Sequence, residues 1–189
     1  REEYGIKTDI EVIPHGIPTI PLVSNTKEKK KIGYKDKILL FSFGMINPGK
    51  GYEYAIDALP NIVKRFPNVL YLIVGETHPV IRKNQGENYR NFIEKKVKEL
   101  KLEKNVKFYN KYVTLEEIIQ YLKAADVYIC SNLNPNQVTS GTLAYAVGAG
   151  RVAISTPFLH AKELVTPSRG ILVNFKDSKS FEDALMKVL

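Results

Sequence analysis

Strand-like apolar runs alternate with helix-like patterns along these 189 residues, and this alternation limits the fold more than any other feature of the sequence. Runs of consecutive apolar residues are typical of strands that are buried on both faces of a parallel sheet. The segments between them carry apolar residues at helical spacing. The strand-like runs cover residues 37–43, 68–74, 106–109, 126–131, 151–156 and 170–174. This order predicts an α/β fold, a Rossmann-like doubly wound parallel sheet of about six strands with helices on both faces.

The turn after the first strand-like run carries residues suited to an anion. Ligands of doubly wound sheets bind beyond the carboxyl ends of the strands, which is where this turn, Gly44–Gly51, would lie. Gly44 and Gly51 let the backbone approach a phosphate closely, and Lys50 offers an ammonium that would neutralise it. The turn therefore predicts one half of a phosphate site.

A second turn, Asn132–Gly141, leads into the helix that follows the fourth run. This helix begins with Ser140, Gly141 and Thr142. Backbone N–H groups are unpaired at a helix start, and the positive end of the helix dipole attracts an anion there. Thr139 or Ser140 would equally serve as a simple cap. Taken with the first turn, on an adjacent crossover of the same sheet, this turn suggests a diphosphate held between two helix N-termini.

The chain is basic, with a formal net charge of +8. Such an excess suits a nucleotide ligand, a nucleic acid or a membrane surface. Many of the lysines are interleaved with Glu on a predicted helix face, and others lie in Ser24–Lys35, a polar segment that we interpret as an exposed loop. We expect no nucleic-acid partner, because no basic stripe with interleaved aromatic residues is present. A nucleic-acid binder that uses Lys27–Lys31 is the alternative.

Several functional classes lack their motifs. No Gly-Lys-Ser/Thr sequence opens a helix, and no dinucleotide fingerprint is present. His15, His78 and His160 have no paired spacing with Cys or Asp, so we expect no metal site and interpret each as a surface or loop residue. The single cysteine, Cys130, lies in a strand-like run and is interpreted as a core side chain. No catalytic residue is assigned. Nothing resembles a membrane span or a secretory signal, so we expect a cytoplasmic protein.

Three local predictions concern the connections. Thr114 and Glu117 have the spacing of a capping box and predict the start of a helix. Apolar residues between 55 and 66 predict a single helix, with Pro60 as the one conflict. Gly75–Gly86 is interpreted as a long loop.

An ordered set of motifs resembles the C-terminal, donor-binding half of a GT-B fold glycosyltransferase of family 4, the glycosyl transferases group 1. The resemblance runs from about residue 10 to the end of the chain. Its motifs are Val12–Gly16, Gly44 with Lys50 and Gly51, Leu72–Gly75, Ala125 with Asp126, Ser140–Gly150, Glu163–Val165 and Gly170–Val173. Two further motifs, Gly75–Pro79 and Gly86–Arg90, together with the form of the Gln137–Ala146 segment, resemble a recurring branch of that family.

The resemblance implies roles for particular residues. Lys50 matches the lysine that holds the donor diphosphate, whereas Met45 replaces the arginine that usually follows the first glycine. Gln137 and Tyr145 align with the paired glutamates that contact the donor sugar and the ribose. Glu163 matches a glutamate near the end of the donor site and would contact the donor or cap a helix. Gly75 is a further candidate near the donor.

The resemblance also implies the organisation of a whole protein. Residues 1–16 would form an interdomain linker or edge segment, and residues 17–189 the nucleotide-sugar donor-binding domain, with an N-terminal acceptor domain outside this chain. The protein would transfer a hexose from a nucleotide sugar of unnamed base, with retention, without a metal and with no other cofactor. This domain alone would be inactive, and the acceptor domain would be the part that contacts a membrane surface. A non-catalytic scaffold or regulatory domain derived from that fold is the alternative.

Overall fold

The computed structural model describes residues 5, 8, 9, 11 and 13–189, so half of the predicted linker, residues 1–16, lies outside the described part. Six parallel strands form one sheet in this part, in the order β3-β2-β1-β4-β5-β6. The strands are β1 (Ile38–Phe43), β2 (Val69–Val74), β3 (Val106–Tyr109), β4 (Val127–Cys130), β5 (Val152–Ser155) and β6 (Gly170–Leu172). The predicted Rossmann-like parallel sheet is confirmed.

Helices cover both faces of the sheet, as a doubly wound fold requires. They are α1 (Asn25–Lys31), α2 (Tyr52–Asp57), α3 (Leu59–Arg65), α4 (Pro79–Gln85), α5 (Asn88–Glu99), α6 (Leu115–Ala124), α7 (Gly141–Gly148), α8 (Leu159–Leu164) and α9 (Ser178–Val188). One buried apolar cluster packs α2, α3, α5 and α9 against one face. The other face packs against α6, α7 and α8. The sheet therefore separates two cores.

The strand order reverses direction between β1 and β4. These strands are neighbours, although two other strands separate them in sequence. Helix α2 follows β1 and packs on one face, and α7 follows β4 and packs on the other. A crevice opens beyond the carboxyl ends of two strands whose crossovers diverge in this way. Both predicted phosphate turns lie at this point.

The interpretation of Ser24–Lys35 as an exposed loop is wrong, because α1 lies within it. The Nζ atom of Lys29 lies 2.7 Å from a carboxylate oxygen of Asp126 and donates to the Lys37 carbonyl at 3.0 Å. Only 8% of Lys29 is exposed. The sequence around Lys29 does not reveal this partner, because Asp126 is distant in sequence. The lysine-rich segment therefore resembles a solvated one. Lys29 therefore forms a buried ion pair within the protein and is not available to bind a polyanion.

Two predicted connections also differ. The single helix expected over residues 55–66 is divided at Ala58 into α2 and α3. This division places Pro60 in the first turn of α3, where a missing N–H costs little. The expected loop Gly75–Gly86 contains α4, which begins at Pro79 after His78 accepts a hydrogen bond from the Val80 N–H on Nδ1 at 3.3 Å.

Candidate functional site

The loop after β1 is fixed to the exit of β4. Gly51 adopts a left-handed φ of 58°, and a β-carbon there would lie 2.6 Å from the carbonyl oxygen of Ser131. The Ser131 hydroxyl donates to the Lys50 carbonyl at 2.7 Å, and the Leu133 N–H donates to the Gly49 carbonyl at 2.9 Å. Gly51 is therefore required by close backbone packing. These contacts fix the direction of the backbone that carries Lys50.

Lys50 is a half-buried cation with no ion-pair partner in the described part of the chain. Its ammonium lies 4.0 Å from the position that a β-carbon on Gly44 would take, and the γ-methyl group of Thr142 lies 3.5 Å from the same position. Burial raises the pKa of the neighbouring Cys130 thiol, and the charge of Lys50 opposes this rise. The structure thus brings Gly44, Lys50 and Thr142 together around an uncompensated positive charge.

The start of α7 offers two unpaired backbone donors. The N–H groups of Gly141 and Thr142 have no hydrogen-bond acceptor among residues 13–189. The Ser140 hydroxyl caps the helix by accepting from the Leu143 N–H at 3.3 Å, and the Ser140 N–H donates to Nδ1 of His160 at 2.8 Å. The cap interpretation and the anion interpretation are therefore compatible. The backbone N–H of Ser140, however, is already paired within the protein.

Two histidines that the sequence analysis treated as unrelated meet at this helix start. His160 accepts from Ser140 through Nδ1, so its other ring nitrogen carries the proton. The Nε2 atom of His15 lies 3.2 Å from the position that a β-carbon on Gly141 would take. Their separation in sequence concealed this convergence, and no local pattern indicates it.

Gln137 and Tyr145 do not contact a common group. Gln137 folds back on its own loop, accepting from the Asn132 amide at 3.1 Å and donating to the Thr139 carbonyl at 2.9 Å. Tyr145 is half-buried, with its ring 6.3 Å from the ring of His15. No residue of the described part accepts from or donates to the Tyr145 hydroxyl.

Gly75 and Glu163 differ in their relation to the site. A β-carbon on Gly75 would lie 2.1 Å from the carbonyl oxygen of Gly44, so these two backbones pack directly together. Glu163 is exposed on α8, and it caps none of the described helices. Gly75 therefore supports the loop of Gly44, whereas Glu163 stands at the surface without a described partner.

A cavity of about 320 Å³ adjoins the cluster around Lys50. It shares Gly44 and Thr142 with that cluster, and its other lining includes Met45, Tyr112 and Val113. The lining is mainly apolar and therefore suits a flat ring system, while the adjoining cation and backbone N–H groups suit an anion. The cavity and the cluster together match a ligand with an organic ring at one end and phosphate groups at the other.

No three His, Cys, Asp or Glu side chains of the described residues come together as a set that could hold a metal ion. None of the helices in that part of the chain is long and apolar enough to cross a membrane.

Sequence comparison connects this geometry with a family. The family described as glycosyl transferases group 1 matches residues 24–189. An uncharacterized glycosyltransferase of Methanocaldococcus jannaschii is 27% identical over 193 residues, covering 100% of this chain and 45% of that protein. A GDP-mannose-dependent monoacylated alpha-(1-6)-phosphatidylinositol monomannoside mannosyltransferase of Corynebacterium glutamicum is 23% identical, with 49% of its length covered. The chain thus spans about half the length of these curated relatives.

Solved structures show the same fold. The C-terminal domain of a glycosyl transferase group 1 family protein from Francisella tularensis matches with a TM-score of 0.76 at 23% identity, covering 90% of this chain and 84% of that one. The Anabaena protein HepE, solved with UDP and glucose, matches with a TM-score of 0.73 at 21% identity, covering 86% of this chain and 41% of that one. The sheet described above is therefore that of a GT-B C-terminal domain, and the chain belongs to the glycosyl transferases group 1 family.

Proposed function

We propose that this chain is the donor-binding domain of a glycosyltransferase and that it holds the diphosphate of a nucleotide sugar between Lys50 and the start of α7. One observation carries the proposal. A half-buried ammonium without a counter-ion in the described part of the chain faces, across Gly44, the end of a helix with two unpaired N–H groups. An anion placed there would satisfy all three donors at once.

The same groups account for a chemical role. Transfer of the sugar leaves negative charge on the departing diphosphate, and donors already aimed at that charge stabilise the transition state without reorganising. Lys50 supplies a full positive charge, and the N–H groups of Gly141 and Thr142 supply the helix dipole. These positive groups are the basis on which we propose metal-independent transfer. Retention at the anomeric carbon is proposed from the resemblance to family 4 alone.

The rest of the donor can be assigned to neighbouring groups. We assign the base and ribose to the cavity beside Met45 and Tyr112, because it is apolar and continues from Gly44. The sugar would then lie near Gln137 and Tyr145, whose amide and hydroxyl have hydrogen-bonding capacity left. The relatives named above use or bind GDP-mannose, UDP and glucose. A hexose donor is therefore the proposal, with the base left to experiment.

The proposed domain organisation follows the length comparison. Residues 17–189 would be the donor domain, residues 1–16 the linker, and an acceptor domain would form the other half of the whole protein. A cytoplasmic location and a membrane contact of the acceptor domain belong to the same proposal. We expect this chain alone to bind a nucleotide and to transfer nothing, because the acceptor would bind to the other domain.

A titration tests the proposal. Backbone NMR spectra of the chain would be recorded with UDP, GDP and ADP, for the wild type, for Lys50→Ala and for the control Lys64→Ala, which removes an exposed lysine from α3. One nucleotide should shift the amides of Gly44–Gly51 and Gly141–Thr142. Lys50→Ala should bind that nucleotide roughly tenfold more weakly, or weaker still, because the variant loses a charge-assisted hydrogen bond. Equal affinities for the two variants, or no shifts with any nucleotide, would instead favour the scaffold alternative.

A further inference from the structure

Of two motifs of the sequence, Gly75–Pro79 lines the cavity assigned above to the base and ribose, whereas Gly86–Arg90 lies outside that cavity. The structure brings the start of α5, which carries the second motif, against the loop after β2, which carries the first. Three residues of the two motifs are buried, with 2% of Thr77, 4% of Arg90 and 9% of Tyr89 exposed. They are therefore placed to act on the site through its loops.

Arg90 holds the loop after β2. Its Nη2 donates to the Gly75 carbonyl at 2.7 Å, and its Nε donates to the Thr77 hydroxyl at 3.3 Å. The Thr77 hydroxyl donates in turn to the carboxylate of Glu87. The nearest distance from Arg90 to Glu94 is longer, 3.8 Å, and Nη1 has no hydrogen-bond partner within the described residues. The guanidinium is thus oriented by the Gly75 carbonyl and not by its helical neighbour Glu94.

The loop after β2 is tied to the loop after β1. The Ile46 N–H donates to the Glu76 carbonyl at 2.8 Å, and the His78 N–H donates to the Ile46 carbonyl at 2.9 Å. Gly75 also packs directly on the backbone of Gly44. A displacement of the Gly75 carbonyl would therefore move Gly44 and the wall of the cavity.

Tyr89 holds the other end of the loop after β1. Its hydroxyl accepts from the Tyr52 N–H at 3.0 Å and donates to the carboxylate of Glu53. Tyr52 follows Gly51 directly, so this bond fixes the start of α2 next to Lys50. Burial and the bond to Glu53 raise the pKa of Tyr89, which keeps the hydroxyl protonated.

We propose that Glu87, Tyr89 and Arg90 are positioning residues that hold the loops after β1 and β2 in the shape that binds the donor. The proposal rests on the proposed function for its ligand. None of the three lines the cavity or the Lys50 cluster. Arg90 and Tyr89 act through the Gly75 carbonyl and the Tyr52 N–H, and Glu87 acts through the Thr77 hydroxyl. The start of α5 thus holds both loops: Arg90 holds the loop after β2, and Tyr89 holds the loop after β1.

The test uses Arg90→Lys and Tyr89→Phe, with Lys96→Gln as the matched control. Lys96 also lies on α5 and joins it to α2 through Asp57 at 2.8 Å, away from both loops. Two quantities are measured for each variant: hydrogen exchange at the amides of Ile46, His78 and Tyr52 without ligand, and the Kd for the nucleotide that the wild type binds.

We expect Arg90→Lys to raise the exchange rates of the Ile46 and His78 amides by roughly tenfold. Tyr89→Phe should raise the exchange rate of the Tyr52 amide by a similar factor. The Leu72 amide in β2 serves as the reference for both. Both variants should weaken nucleotide binding by a similar factor, and Lys96→Gln should change neither quantity. Unchanged Kd values in folded Arg90→Lys and Tyr89→Phe would overturn the inference, even if denaturation midpoints fell. If the wild type binds no nucleotide, the proposed function fails and the donor part of the inference with it. The exchange rates would still show whether these residues hold the loops.

Discussion

The ion pair between Lys29 and Asp126 permits a quantitative test of the part of the fold that the sequence concealed. Asp126 accepts from three donors: Lys29 Nζ at 2.7 Å, the Leu39 N–H at 2.7 Å and the Asn25 amide at 2.6 Å. The side chains of Lys29 and Asp126 are 10% and 23% exposed. The pair therefore joins α1 to the amino ends of β1 and β4 in a largely water-excluded place.

The magnitudes follow from what each change leaves behind. Asp126→Ala leaves the Lys29 ammonium with only the Lys37 carbonyl and removes the acceptor of the Leu39 N–H, which should cost about 3–4 kcal/mol. Lys29→Met keeps the apolar stem, and Asp126 keeps its bonds from Leu39 and Asn25, so about 1–2 kcal/mol is expected. The double variant should be little worse than Asp126→Ala alone, because the two side chains share one interaction.

The assay is urea denaturation followed by circular dichroism, with Lys30→Met as the control. Lys30 lies next to Lys29 in α1 but is exposed. For a chain of this length, the loss in Asp126→Ala corresponds to a fall in Tm of about 10 °C. If Lys29→Met and Lys30→Met have the same free energy of unfolding, Lys29 is as solvated as Lys30, and the assignment of a buried ion pair between Lys29 and Asp126 is wrong.

Three other changes test the site and its support. Gly75→Ala should cost about 3 kcal/mol or more, because its β-carbon would overlap the Gly44 carbonyl oxygen at 2.1 Å, and denaturation measures this loss. Met45→Arg should tighten binding of the nucleotide at low ionic strength and less so at high salt, as calorimetric titration would show, because it adds a cation at the cavity wall. Hydrogen bonds from Thr77 and then Arg82 lower the pKa of Glu87, so its contribution to stability is present above its ordinary pKa and lost as the pH falls through the lowered one. Glu87→Gln should therefore reduce the difference between denaturation midpoints at about pH 7 and about pH 3; an unchanged difference would contradict the assignment.

Local patterns predicted the elements that local physics controls. The capping box is confirmed, with the Thr114 hydroxyl accepting from the Glu117 N–H at 3.3 Å and the Glu117 carboxylate accepting in return at 2.9 Å. Helix α1 was missed because its stabilising partner, Asp126, is remote in sequence. Helix α4 was missed because Pro79 was interpreted as part of a loop, although proline is well suited to the first turn of a helix.

The candidate site was predictable to a similar extent. Alternating strands and helices placed Lys50 and Thr142 at one edge of the sheet, since parallel strands share that edge, and the structure brings the two together. The pairing of Ser140 with His160 depends on how α8 returns towards α7, which no spacing rule reveals. The contact of Gly75 with Gly44 likewise depends on the register of β1 against β2.

The attachment of Gly51 and Lys50 to the exit of β4 has a consequence for the energetics of recognition. Because the Ser131 hydroxyl and the Leu133 N–H already hold the loop after β1, little chain entropy remains to be lost there when an anion arrives. Discrimination between ligands then depends on how well each ligand fits the loop as it is already held, and not on whether the ligand can make the loop close around it. The distance between Lys50 and the start of α7 is the same for every ligand. A ligand with a single phosphate would therefore leave one of these two groups without an anion, whereas a diphosphate would fill both.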